Sequence, residues 1–323
     1  MLATSLLLAF IVVTLGAYVR LSDAGLGCPD WPGCYGRLAA PAQSEAAAVA
    51  EVYPHRPLET GKAWREMVHR YAAGTLGLLI AAILILTLRD SRSSRADVAI
   101  AAALAAVVMF QALLGMWTVT LLLKPLVVVA HLLGGLSVLA LLWWLWLRSG
   151  PSAPLPSEHV YPAALRRLAM AGLAILLVQI ALGGWTSSNY AALACVGFPT
   201  CNGQWLPATD FSEAFVLWRG LGIDYEGGVL DHPARVAIHF THRLGALVTA
   251  VVLITLALAL LRRNGHHLRR LGLMLIVVLV GQILLGIGNV TLFLPLPVAV
   301  AHEGTAALLL LLMVSINYRV YRR

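Results

Sequence analysis

Gln111-Ala-Leu-Leu-Gly115, followed by Val129-Ala130-His131, returns 171 residues later as Gln282-Ile-Leu-Leu-Gly286 followed by Val300-Ala301-His302. Two more matches extend the pattern in both directions. Leu15-Gly16 with Cys28-Pro-Asp-Trp-Pro-Gly-Cys34 corresponds to Leu182-Gly183 with Cys195-Val-Gly-Phe-Pro-Thr-Cys201 at an offset of 167, and Glu66-Met-Val-His69-Arg70 corresponds to His239-Phe-Thr-His242-Arg243 at 173. The matches keep their order and nearly keep their offset, so the chain reads as one unit written twice.

What that unit is follows from composition. At 60% hydrophobic and 12% charged over 323 residues, the chain cannot make an ordinary water-exposed surface and belongs in a bilayer. Apolar runs of about 20 residues, enough to cross a hydrocarbon core, cover 2–20, 67–88, 96–117, 125–147, 165–186, 236–261, 270–290 and 295–317. The first run lacks the basic flank of a secretory signal and aligns with the fifth, so it counts as a span. The expected fold is therefore an all-α integral membrane protein with eight transmembrane helices in two tandem, pseudo-symmetric four-helix bundles. Because four is even, both halves enter from the same side and are parallel repeats. They comprise residues 1–149 and 163–323, joined by the Pro-rich linker 150–162.

Lys and Arg orient the chain. Thirteen arginines lie in the short 2/3, 4/5 and 6/7 connections and the tail, with only Asp90, Asp97 and Glu158 among them, a balance of +10; the other side holds ten bases and twelve acids. The basic side is expected to be cytoplasmic with both termini, in the cell (inner) membrane. The net charge of +8 is thus a topology signal and not a nucleic-acid surface. Trp143, Trp144 and Trp146 fit an interfacial belt at the cytoplasmic end of the fourth span. The long loops 21–65 and 187–235 would lie outside, where conditions are oxidising. Each carries a Cys-x5-Cys, whose simplest pairing is Cys28 with Cys34 and Cys195 with Cys201; the spacing does not suit a metal site.

Five histidines, His55, His159, His232, His266 and His267, fall in loops or at helix ends and need no function. His69, His131, His242 and His302 each sit a few residues inside a span that starts at the outer face, in spans two, four, six and eight. A lone histidine in a span is ordinarily a hydrogen-bonded packing residue; four in duplicated positions at matched depth are better explained as two pairs, each clamping a planar iron macrocycle from both sides. Arg70 and Arg243 follow the first histidine of each pair and are candidate partners for the carboxylates of such a group, with interfacial snorkelling as the alternative. Gly74, Gly77, Gly134, Gly135, Gly245 and Gly304 would admit a flat cofactor or serve as small-residue helix contacts. Gln111, Gln179 and Gln282 read as interhelical hydrogen-bonding residues. The duplication breaks at Glu66, whose place is taken by His239. Glu66 shares a helix face with His69 and is a candidate base, the alternative being a helix-start carboxylate in contact with water.

These residues, from Gly16-Ala-Tyr-Val-Arg-Leu-Ser-Asp-Ala-Gly-Leu-Gly-Cys28 through Glu66-Met-Val-His-Arg70, His131-Leu-Leu-Gly-Gly135, His242-Arg243 and His302, resemble the haem A synthase family, in its cysteine-containing branch, over essentially the whole chain. The resemblance implies that haem O is the substrate, held by His69 and His131 with Glu66 as the catalytic carboxylate, and that a haem b between His242 and His302 carries electrons. It implies oxidation of a ring methyl to a formyl group through a hydroxymethyl stage, with water as oxygen source, and activity linked to the Cys28/Cys34 pair. It admits docking to haem O synthase (the protohaem farnesyltransferase), self-association as a homo-oligomer, and an electron acceptor that the sequence does not name. The competing reading is a di-haem b-type electron-transfer cytochrome, or a haem carrier, that modifies nothing.

Overall fold

A computed structural model describes residues 1–149, 161–263 and 265–322. The long helices are α1 (Leu2–Leu21), α3 (Thr60–Arg89), α4 (Arg95–Thr120), α5 (Pro125–Ser149), α6 (Ala163–Ser188), α8 (His232–Leu261), α9 (His266–Thr291) and α10 (Leu296–Tyr321). Each is long and apolar enough to cross a membrane. The short helices α2 (Ala46–Val52) and α7 (Phe211–Ala214) lie within the two long loops. Among the described residues there is no strand, and two isolated bridges, Cys34 with Arg37 and Cys201 with Gln204, close the disulfide loops. Most of the linker expected at 150–162, with His159, falls outside the described residues.

Helix boundaries are set by local chemistry. Pro125 opens α5, and prolines lie in the first turn of α8 and α10, where a missing N–H costs nothing. Ser94 and Asp97 form a reciprocal cap at the start of α4, and Arg148 Nε donates to Asp97 at 2.7 Å, tying the end of α5 to it. The α4–α5 and α9–α10 turns are made alike, with left-handed backbone at Leu122 and Leu123 (φ 52° and 59°) and at Phe293 and Leu294 (58° and 60°).

In the first half α1, α3, α4 and α5 form a ring in which each helix packs on the next and α5 closes back on α1; α6, α8, α9 and α10 repeat this cycle. Consequently α3 stands across its ring from α5, and α8 from α10. The halves meet through α1 against α10 and through α5 against α6 and α10. Trp143 Nε1 donates to Ser315 Oγ across this seam, while Trp144 and Trp146 are exposed. Away from the loops the rings are filled by fully buried Ile80, Leu104, Leu139, Leu142, Leu253, Leu256 and Leu275. At the loop end the filling changes to histidine and glycine.

Three helices begin four or more residues earlier than their apolar runs: α3 at Thr60 and not 67, α8 at His232 and not 236, α9 at His266 and not 270. For α3 the cause is burial: the disulfide loop lies directly on its first turns, where a Cβ at Gly27 would come within 2.6 Å of the Lys62 backbone and Ala63 is fully covered. A polar segment is therefore held helical by packing, not by lipid.

Candidate functional site: two facing histidine pairs

His69 on α3 and His131 on α5 project from opposite sides of the first ring, as do His242 on α8 and His302 on α10 in the second. Every one of the four rests on a glycine of a neighbouring helix. A Cβ on Gly16 (α1) would stand 3.0 Å from His69 Cε1, on Gly115 (α4) 3.5 Å from His131 Cε1, on Gly183 (α6) 3.2 Å from His242 Cε1, and on Gly286 (α9) 3.0 Å from His302 Cε1. At Gly16, Gly183 and Gly286 contacts that tight leave little room for a side chain in place of the hydrogen, whereas Gly115 is in ordinary van der Waals range. These glycines belong to the repeated Leu-Gly and Gln-x-x-x-Gly motifs, which is the signal from which their role was available in the sequence.

The glycines singled out beforehand do other work. Gly134 and Gly245 make room for the Gln111 and Gln179 amides, Gly77 faces Val108, and Gly304 abuts Thr14 and Phe10 of α1, so these are side-chain and helix contacts. Gln179 Nε2 lies 3.0 Å from His242 Nδ1 and donates to His242 O at 3.0 Å; Gln282 Nε2 lies 3.3 Å from His302 Nε2. Two glutamines thus orient the second pair, a closer role than the general interhelical one expected. The position equivalent to Gln179 in the first half is Val12.

The residues present fit a bis-histidine cofactor. His69 Nδ1, His131 Nδ1 and His302 Nδ1 are buried and have no hydrogen-bond partner in the protein, a condition that native interiors rarely leave unanswered. Among the described residues no third His, Cys, Asp or Glu clusters with either pair, and two imidazoles per ring match the donor set of a six-coordinate haem iron better than that of zinc or manganese.

Glu66 is buried, at 4% exposure, in the second turn of α3. Its Oε2 accepts the Cys28 N–H at 2.8 Å and its Oε1 accepts from Arg70 Nη2 at 2.5 Å. The helix-start carboxylate in water is thereby excluded. Arg70 also donates to the carbonyls of Asp30, Pro32 and Gly33, and Arg243 donates to those of Thr200, Cys195 and Gly197. Both arginines therefore anchor a disulfide loop to the helix beneath it. The loops are closed by Cys28–Cys34 and Cys195–Cys201. His239 is as buried as Glu66, but its Nδ1 lies 3.0 Å from Ala191 O, a carbonyl outside the Cys195–Cys201 loop.

The second long loop also reaches over the first half. Lys124, 2% exposed in the α4–α5 turn, donates to Arg219 O at 3.0 Å and to Gly220 O, with its ammonium 3.4 Å from the Trp218 ring centre. Tyr225 N donates to Leu122 O, and Arg56 pairs with Asp224 and Glu226 at 2.6 and 2.7 Å. An open cleft lined by Asp210, Glu213, Asp231 and His232 lies at the start of α8, apart from the histidine pairs.

The fold defines a multi-pass membrane protein with two helix rings, each carrying one pair of buried histidines on opposite helices. The chain belongs to the COX15-CtaA family of cytochrome oxidase assembly proteins, whose model matches residues 1–314. It is 45% identical over 324 residues to the protein named Heme A synthase from Shewanella oneidensis, covering all of this chain and 96% of that one. It is 30% identical over 340 residues to the Heme A synthase of Caulobacter vibrioides, covering 98% and 93% of the two chains, and 28% identical over 335 residues to that of Paracoccus denitrificans, covering 96% and 84%.

Proposed function

We propose that this chain is a haem A synthase, an enzyme that takes haem O to haem A, with His69 and His131 holding the substrate and His242 and His302 holding a resident haem b. The observation that carries the assignment is the pair of imidazoles on opposite helices of each ring, each beside a glycine, with a buried ring nitrogen on His69, His131 and His302 that nothing in the protein satisfies. The activity named for the relatives favours this over a di-haem cytochrome or haem carrier that does no chemistry.

Two halves, 1–149 and 163–323, would each form one site. Their relation by a pseudo-twofold axis along the membrane normal is supported by the repeated turns and helix cycle, and by Arg20 of α1 donating to Ser187 O, its own equivalent 167 residues on. The positive charge of the short connections and termini favours a cytoplasmic side for them, which would set both sites toward the outer face of the cell membrane, under the disulfide loops. Haem O would arrive through the bilayer from haem O synthase, and electrons would leave to an acceptor outside the chain.

The reaction would remove electrons and protons from a ring methyl, with water supplying the oxygen of the hydroxymethyl and then the formyl group. When bound, the haem b iron supplies a one-electron carrier. The protein's part is to fix the substrate macrocycle between His69 and His131, to exclude bulk water with the loop that Lys124 clasps, and to present Glu66 as proton acceptor. Glu66 suits that role because Arg70 and the Cys28 N–H hold its carboxylate in one orientation. Glu66→Gln preserves the shape and removes the base. Protein carrying this change should bind both haems and accumulate haem O; undiminished haem A formation would remove Glu66 from the mechanism.

A further inference from the structure

The two arginines expected to meet haem carboxylates are held by carbonyls of the disulfide loops, whereas Arg20 keeps one buried guanidinium nitrogen without a partner. It lies in the last turn of α1, four residues beyond Gly16, on which the His69 ring rests. Positions four apart share a helix face, so Arg20 rises from the face that bears the imidazole, about 6 Å nearer the loops at 1.5 Å per residue. Its side chain is 15% exposed, with Nη2 donating to Ser187 O at 2.7 Å, the guanidinium 4.2 Å from the Tyr190 ring centre, and the exposed Asp23 carboxylate 3.8 Å away. The Nε of Arg20 and the hydroxyl of Tyr190 are both buried and have no partner in the protein. Two buried donors on adjoining side chains, one of them on a guanidinium, call for an acceptor with more than one lone pair.

We propose that Arg20, with the Tyr190 hydroxyl, binds a propionate carboxylate of the substrate haem held by His69 and His131. The inference rests on the synthase reading and adds the group that sets the rotational placement of the macrocycle about its iron axis, hence which ring edge faces Glu66. A guanidinium edge is shaped for a carboxylate, and the pair is strong where water is scarce. The device is not duplicated. Ser187 occupies the equivalent position in the second half, four residues beyond Gly183, so a propionate of the second haem is the other source of the same chemistry.

The test uses full-length protein made in cells that produce no haem O, with the haem at His242 and His302 in place. Wild type, Arg20→Gln, Arg20→Lys and Tyr190→Phe are titrated with haem O and with its dimethyl ester, in which both carboxylates are blocked, and the spectrum of the first site is followed. Arg20→Gln should weaken free-acid binding at least tenfold, Arg20→Lys should restore part of it, Tyr190→Phe should have a smaller effect, and the ester should bind wild type and Arg20→Gln alike. Equal weakening of acid and ester would assign Arg20 to packing and overturn the proposal, as would unchanged binding of the acid. A defect confined to the His242–His302 haem would overturn it as well, by moving the carboxylate to the other macrocycle. Wild-type protein whose titration is indifferent to His69→Ala would instead sink the synthase reading on which the proposal stands.

Discussion

The two halves share a scaffold and differ at four places that all bear on the sites. Glu66, bonded to the Cys28 N–H and Arg70, has His239 as its counterpart, turned to Ala191 O. Gln179, which fixes His242, has Val12. Lys124, which clasps the other half's loop, has Pro295, and Arg20 has Ser187. The shared features are those any bis-histidine haem would need: facing imidazoles, glycine seats, an arginine-anchored disulfide loop. Under the function proposed above, the differences would divide the labour. The second pair is locked by glutamines, as suits a permanent electron carrier. The first has no such lock; it has instead a buried carboxylate and a loop that closes it from outside, as suits a substrate that must enter, react and leave.

That contrast can be broken at several points. The largest effect should come from Glu66→Gln, which ought to lower haem A production roughly 100-fold or more, in the range for loss of a general base, while leaving both haem spectra in place; His239→Gln should leave turnover within a few fold. Next, Gly286→Val should push into the His302 ring and empty the second site, whereas Gly74→Val, where a Cβ meets nothing, should leave both sites filled; haem content of the purified proteins distinguishes them. Gln179→Leu should weaken retention of the second haem about tenfold and shift its reduction potential without touching the first. Smallest, Lys124→Met leaves two carbonyls without their cation and should cost about 2 kcal/mol of stability, seen as a lower thermal midpoint, together with faster exchange of haem at the first site only.

The spans and the histidine pairs were legible because both are written in patterns that survive without three dimensions: apolar length for one, duplication for the other. Helix ends were less so. Thr60 to Arg65 is polar, and its helicity depends on the loop lying over Lys62 and Ala63, a contact distant in sequence. Gly16, Gly115, Gly183 and Gly286 were visible as repeats, but that a glycine seats an imidazole requires knowing which helix faces it. Arg70 and Arg243 were noticed for their position beside a paired histidine, but the loop carbonyls they bond were not foreseen, because a folded-back loop leaves no mark in composition. The alternative reading of Glu66 as a helix-start carboxylate in water falls because the helix begins about two turns earlier and the side chain is buried.

The account stands on there being two separate haem sites, only one of which is consumed. Pigments extracted from His131→Ala and from His302→Ala protein and separated by chromatography test this directly. The first variant should keep haem b and lose haem O and haem A; the second should lose haem b and keep unconverted haem O. Loss of the same pigment from both variants would contradict it.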